Sequence, residues 1–262
     1  MTATIITELG ASGVATLTLN RPELHNAFDD ALIAELSREL KRLQAEPGVQ
    51  VVVLAATGKS FSAGADLNWM RRMAGYSYQQ NLADALALAE LMRVLNGLSK
   101  PTIAQVQGPA YGGGVGLVAC CDITVAAETA SFSLSEVRLG LIPAVISPYV
   151  VNAIGERQAR RYFLSAERFS AREAQRIGLV HEVVPPEELT VTVGRFLNTL
   201  AGNGPAAMVA AKDLARSVSR GPIDAVMIED TARRIAEIRA SAEGREGVAA
   251  FLNKRKPAWY RG

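Results

Sequence analysis

The sequence predicts an α/β protein: a core of strands alternating with helices over residues 1–190, then a helical C-terminal region over 191–262. Short β-like runs alternate with apolar patterns of helical period through the first half. Only helical patterns remain after about residue 190, and PPEEL (Pro185 to Leu189) breaks the chain there. In order, TIITEL and GVATLTLN read as two strands around a Leu9–Gly13 turn. From Asp29 to Leu43, Leu32, Leu36, Leu40 and Leu43 share one helical face, with Arg38, Glu39, Lys41 and Arg42 largely opposite. VQVVVLAA is a buried strand, and Asn81 to Leu98 a second helix. PTIAQV and DITVAA are strands separated by a glycine segment and a short apolar helix. The order resembles a repeated strand–strand–helix unit without a strict sequence period. The C-terminal helices are Thr190–Leu200, Pro205–Val218, Ile223–Ala240 and Glu243–Asn253, punctuated by Gly202–Pro205 and Gly221–Pro222.

Composition narrows the function. A chain of 262 residues holds one large domain or a domain plus an appendage. With 28 basic and 26 acidic residues, a net charge of +2 gives no reason to expect nucleic acid or an anionic membrane as partner. No apolar run reaches the ~18 residues that suggest a membrane span. The start MTATIITELG has neither the basic opening nor the apolar block of a secretory signal. The only cysteines, Cys120 and Cys121, are neighbours and poorly placed for a structural disulfide, which favours a reducing, cytoplasmic setting. The two scattered histidines, His25 and His181, leave a zinc site short of ligands.

Two glycine-containing loops stand out. In AYGGGVGLVACCD (Ala110 to Asp122), residues 112–116 carry almost no side chain, as a tight turn or a close approach requires. In GKSFSAGADLNWM (Gly58 to Met70), small residues again precede a helix-like segment. Two such loops can direct two backbone N–H groups at one oxygen and so stabilise an oxyanion. Read alone, Asp66 is a helix N-cap and Gly64 a turn residue. TGKS at 57–60 lacks the first glycine of a phosphate loop. Gly114 to Ala119 fits a dinucleotide fingerprint, but Glu136 lies well beyond the end of the next strand, where the acid should sit. Glu136 alone would be a surface glutamate, yet its neighbourhood, FSLSEVRLGLIP, is apolar for an exposed loop.

Together these segments make the chain resemble the crotonase family of enoyl-CoA hydratases and isomerases. The likeness runs through NRPELHNAF (20–28), FSAGADL (61–67), PTIAQVQGPAYGGGVGLVACCD (101–122), SEVRLGLIP (135–143), AREAQRIGLVHEVV (171–184) and FLNKRKPAW (251–259). It implies a spiral of ββα units with a helical C-terminal trimerisation region, as a homotrimer or dimer of trimers. The substrate would be an acyl-CoA thioester, with no metal or redox cofactor. The resemblance assigns the oxyanion hole to the amides of Ala65 and Gly113 and the proton transfer to Glu136. It places Ala63, Asp66 and Leu67 beside the acyl-CoA, Leu24 along its nucleotide end, and Phe251 and Lys254 at the nucleotide, often from a neighbouring subunit. The best-known hydratases read Gly-Gly-Gly-x-Glu, and here position 116 is glycine. One carboxylate of a two-carboxylate mechanism is therefore absent, and Ser147, Tyr149 or a held water are the candidates to replace it. Single-glutamate relatives shift double bonds. The wording of Ser135 to Val151 is closer to bacterial hydratases of branched substrates such as 3-methylglutaconyl-CoA, in leucine or terpenoid breakdown. Hydratase is thus the leading expectation; a single-glutamate isomerase and a non-catalytic acyl-CoA-binding protein remain the alternatives.

Overall fold

In a computed structural model, described for residues 3–10, 12–219 and 221–260, successive units of the chain stack on one another. The elements run β1 (Ile5–Leu9), β2 (Val14–Leu19), α1 (Asp30–Ala45), β3 (Val51–Ala56), α2 (Leu67–Met73), α3 (Tyr78–Gly97), β4 (Thr102–Val106), β5 (Ala110–Tyr111) and α4 (Gly113–Cys120). They continue as β6 (Ile123–Ala127), β7 (Ser131–Ser133), α5 (Ser147–Ser165), β8 (Phe169–Ser170), α6 (Ala171–Arg176) and β9 (Glu182–Val184). The chain ends with α7 (Leu189–Ala201), α8 (Pro205–Val218), α9 (Ala225–Ala240) and α10 (Ala242–Leu252).

The longer strands form one sheet in the order β1-β2-β3-β4-β6-β9, antiparallel at β1–β2 and parallel from there. The short strands form a second sheet, β5-β7-β8. Isolated parallel bridges, Phe28 with Ala65 and Ser62 with Ala110, carry the second pairing back through the earlier units. Each unit thus gives a long strand to one sheet, a short extended segment to the other, and a helix. This is the α/β spiral of strand–strand–helix units that the resemblance implied.

Burial follows from the strand patterns. β2 alternates, with Ala15, Leu17 and Leu19 inward, whereas β3 is buried on both faces, as a parallel strand covered by helices on each side must be. On one side Leu32, Ile33, Leu36, Leu40 and Leu43 of α1 pack with Leu91, Met92 and Leu95 of α3. On the other, Leu189, Val193 and Phe196 of α7 pack against Val51, Val53, Ile103 and Val125. α3 starts at Tyr78, earlier than its apolar pattern suggests, because Ser77 and Gln80 form a reciprocal capping box. α9 starts two residues later than expected, since Asp224 caps it by accepting from Met227 N.

α8 is clasped to the core by one charge pair. Lys212 Nζ lies 2.5 Å from Asp122 Oδ2 and donates to Lys100 O at 3.0 Å. The same Asp122 oxygen accepts from Thr102 N and Thr102 Oγ1. Burial pushes the Lys212 ammonium below its usual pKa, and Asp122 opposes that shift. Removing one partner of such a pair strands the other charge. Asp122→Ala is expected to lower stability by about 3 kcal/mol in urea unfolding. Lys212→Met added to it should recover most of the loss.

Candidate active site

Three segments that follow strand ends meet at Gly112. The loop after β3 leads to Ala65, the loop after β4 leads to Gly113, and the turn after β7 leads to Glu136. In the parallel pairing of Ser62 with Ala110, Tyr111 N donates to Ser62 O at 2.9 Å, and Phe61 N and Ser62 N both donate to Pro109 O. Ala65 and Gly113 each lie three residues beyond their bridged neighbour, so the same register brings them alongside one another. A Cβ added to Gly112 would lie 3.9 Å from Gly64 Cα and 3.2 Å from Glu136 Oε1. Gly64 has φ +89° and Gly112 φ +50°, conformations that L-residues rarely adopt. Gly112 N donates to Ser133 O at 2.9 Å, tying the glycine loop to the strand that precedes Glu136.

Two donors at this junction are unspent. Among the described residues, neither Ala65 N–H nor Gly113 N–H donates to a protein acceptor. Gly113 opens α4, so its amide also sits at the positive end of the helix dipole. Glu136 is half-buried at the start of a 3-10 turn, Glu136–Leu139. Its Oε2 is buried without a hydrogen-bond partner, and burial pushes its carboxyl above the usual carboxylate pKa.

The segment before α1 holds this arrangement from behind. Asn26, fully buried at φ 53°, donates from Nδ2 to Thr57 O and Ser60 O and accepts at Oδ1 from Arg21 N. Ser62 Oγ donates to Asn26 O, and Ala63 N to His25 O. Arg21 pairs with Asp29 at 2.7 Å and lies 3.7 Å from Asp66. Asp66 caps α2, accepting at Oδ1 from Asn68 N and Trp69 N, so its carboxylate is engaged by protein. Sequence reasoning singled out neither Arg21 nor Asn26. The available signal was a polar, turn-forming run directly before an amphipathic helix.

The remaining sequence candidates are dispersed. Ala63 and Leu67 are exposed on either side of Ala65. Leu24 is exposed in the 3-10 turn Pro22–Leu24, beside the His25 carbonyl that receives Ala63 N. Phe251 and Lys254 are exposed at the end of α10, which packs on α8 and α9. Ser147 Oγ donates to Ala144 O. Burial raises the Tyr149 phenol pKa, with Cys120 adding to the rise and Arg93 opposing it. A cavity of about 910 Å³ lies at the other end of the strands, lined by Pro101, Asp122, Met208 and Lys212, and contains none of these candidates.

Position 116 is filled from outside. A Cβ on Gly116 would overlap Ile146 Cγ2, lie 2.9 Å from Ile146 Cβ and 3.1 Å from Met92 Cε. The glycine therefore accommodates an apolar wall one helical turn along α4 from Gly112. Among the described residues, no group of three or more His, Cys, Asp or Glu could hold a metal ion.

Two unspent amides on loops that meet beside a half-buried carboxyl suit an enzyme that moves a proton next to a carbonyl group while stabilising its enolate. Comparison with known proteins agrees in class. The family model "Enoyl-CoA hydratase/isomerase" matches residues 10–262, and the chain belongs to that family, the crotonases. It is 34% identical over 248 residues to the 2,3-dehydroadipyl-CoA hydratase of Escherichia coli, covering 93% of this chain and 94% of that protein. It is 33% identical over 246 residues to the crotonyl-CoA hydratase of Syntrophomonas wolfei, covering 93% of each. Among solved structures, an enoyl-CoA hydratase from Shewanella pealeana superposes with TM-score 0.95 at 47% identity, over 98% of this chain and 96% of that one.

Two outcomes follow from this geometry. Glu136→Gln should raise the melting temperature at neutral pH, because the folded state holds an uncompensated buried carboxyl whose pKa is raised. The folded protein binds that proton more tightly than the unfolded chain, so wild-type stability falls as pH rises from the ordinary carboxylate range through the raised pKa. The advantage of Glu136→Gln should be greatest above that window and vanish below it in a pH series of thermal melts. Gly116→Ala should destabilise by about 1–3 kcal/mol through overpacking. Combining it with Ile146→Ala, measured by urea unfolding, should recover part of that loss.

Proposed function

We propose that the chain is an enoyl-CoA hydratase, adding water reversibly across the 2,3-double bond of an enoyl-CoA. The observation that carries this reading is the convergence of the Ala65 and Gly113 segments on the Glu136 carboxyl. The amides receive the thioester oxygen. As a carboxylate, Glu136 takes a proton from water while the water oxygen bonds to C3 and the double-bond electrons move onto the thioester as an enolate. Glu136 then returns that proton to C2 and the carbonyl reforms. One group serves both steps because they need its two protonation states in succession, and a raised pKa makes the protonated form easier to reach than in an ordinary carboxylate. Each amide is worth roughly 2.7–4 kcal/mol to the transition state. Only protons move between protein and substrate, so the reading calls for no metal or redox cofactor.

The relatives named as hydratases of 2,3-dehydroadipyl-CoA and crotonyl-CoA support hydration over other proton transfers. The wording of Ser135 to Val151 supports a branched, carboxylated substrate of the 3-methylglutaconyl-CoA kind. One observation favours a second reading, a double-bond isomerase: Ile146 and Met92 occupy the space into which a second acid at position 116 would grow. Apolar side chains left exposed on the C-terminal helices, among them Val226, Ile228, Phe251 and Leu252, support assembly as a homotrimer or a dimer of trimers. Such an assembly would let Phe251 and Lys254 reach a neighbour's CoA nucleotide. No helix among the described residues is long and apolar enough to cross a membrane.

Incubating the protein separately with crotonyl-CoA, 3-methylglutaconyl-CoA and a 3-enoyl-CoA, and following product mass, tests the reading. A gain of one water from a 2-enoyl-CoA is expected. A change of position without a change of mass, seen only with the 3-enoyl-CoA, would replace hydratase by isomerase. The acid limb of kcat/KM should lie above the ordinary carboxylate range, since Glu136 must be ionised to accept the first proton. Glu136→Gln should lower kcat by at least about 100-fold.

A further inference from the structure

Phe28 touches both halves of the site, and it does so with different parts of itself. Its backbone holds the Ala65 segment: Phe28 N donates to Gly64 O at 2.6 Å, and Phe28 O accepts from Asp66 N at 2.7 Å. Those two bonds bracket Ala65 and leave its N–H pointing elsewhere, the pattern of a parallel bridge. The ring, buried with 1% exposure, lies against the other donor. A Cβ on Gly113 would lie 2.7 Å from Phe28 Cε2 and 2.9 Å from Cδ2, so the ring contacts the Gly113 backbone where a side chain would otherwise be.

We propose that Phe28 is a positioning residue that sets the spacing between the Ala65 and Gly113 amides. The proposal rests on the reading of those amides as the oxyanion hole. A flat ring of fixed dimensions is a stiff spacer. The hydrogen bonds on the Ala65 side belong to the main chain and survive replacement of the side chain. The contact on the Gly113 side belongs to the ring and does not. Truncation at Phe28 therefore leaves one amide in place and lets the N-terminus of α4 settle into the vacated volume, which alters the separation of the two donors. Because donors must meet the developing oxyanion at about 2.7–3.1 Å, a shift of a few tenths of an ångström weakens the transition state more than the bound substrate.

The test uses butyryl-CoA carrying ¹³C at the thioester carbonyl, a saturated probe that cannot take up water. Isotope-edited infrared spectroscopy of the bound probe reads the pull of the amides on the carbonyl. In the wild-type protein the C=O stretch should move to lower wavenumber on binding. In Phe28→Ala at least half of that displacement should disappear, kcat for hydration should fall on the order of 10–100-fold, and KM should change less than about threefold. Leu36→Ala, a truncation on the buried face of α1 outside the site, should lose stability yet keep the displacement and kcat. Phe28→Leu, which keeps most of the volume, should give an intermediate displacement, and it supplies the same readout if Phe28→Ala does not fold. A wild-type displacement and kcat in the Phe28 variants would overturn the spacer role alone. No displacement in the wild-type protein would instead overturn the oxyanion hole, and the spacer with it.

Discussion

The parallel bridge between Ser62 and Ala110 is the constraint on which the site depends. Two amides far apart in sequence can share one oxygen when their backbones are held side by side, and a spiral of units supplies that relation. Each unit repeats the path of the one before, so equivalent points of neighbouring units lie adjacent. Ala65 and Gly113 are such equivalent points. The bridge between Phe28 and Ala65 extends the relation back one unit, and the pairing of Ala110 with Phe132 extends it forward toward Glu136. Positioning the donors and the acid is thus a consequence of strand register more than of side-chain packing.

Register explains why side chains vanish here. Gly64 and Gly112 adopt left-handed conformations, and Gly113 gives its side-chain space to Phe28. Gly116 belongs to a different case. Its missing side chain makes room for Ile146 and Met92, so the wall along α4 is apolar. At Glu136 burial raises the cost of the charged form, which is the direction in which its pKa moves. A site with one acid and low polarity fits a group that must hold a proton and then release it.

Much of the fold was legible in the sequence, for reasons that differ between elements. α1 is readable because its leucines repeat at helical spacing and its polar residues oppose them. β3 is readable as an unbroken apolar run. β5, β7, β8 and β9 have two or three residues each, and pairing with the next unit defines them; no local pattern marks them. α5 is interrupted at Gly155 and begins with a proline in its first turn, which breaks up the signal of a nineteen-residue helix. At the site, the two small-residue loops that meet at Gly112 were visible in the sequence as glycine-containing runs before helices. Asn26 and Phe28 were not, since the loop segments they hold lie about thirty or more residues ahead and are engaged mostly at their main-chain atoms. The burial of Glu136 is likewise decided by what folds over it.

The central claim is that two convergent amides and one buried carboxyl generate an enolate at the carbon beside a thioester. The most direct measurement is proton exchange at C2 of a saturated acyl-CoA in heavy water, followed by mass or proton NMR, because it needs neither water addition nor a double bond. Wild-type protein should introduce deuterium at C2 of butyryl-CoA, and Glu136→Gln should fail to do so while still binding the ligand. Tight binding without any exchange in the wild-type protein, or exchange undiminished in Glu136→Gln, would contradict the account.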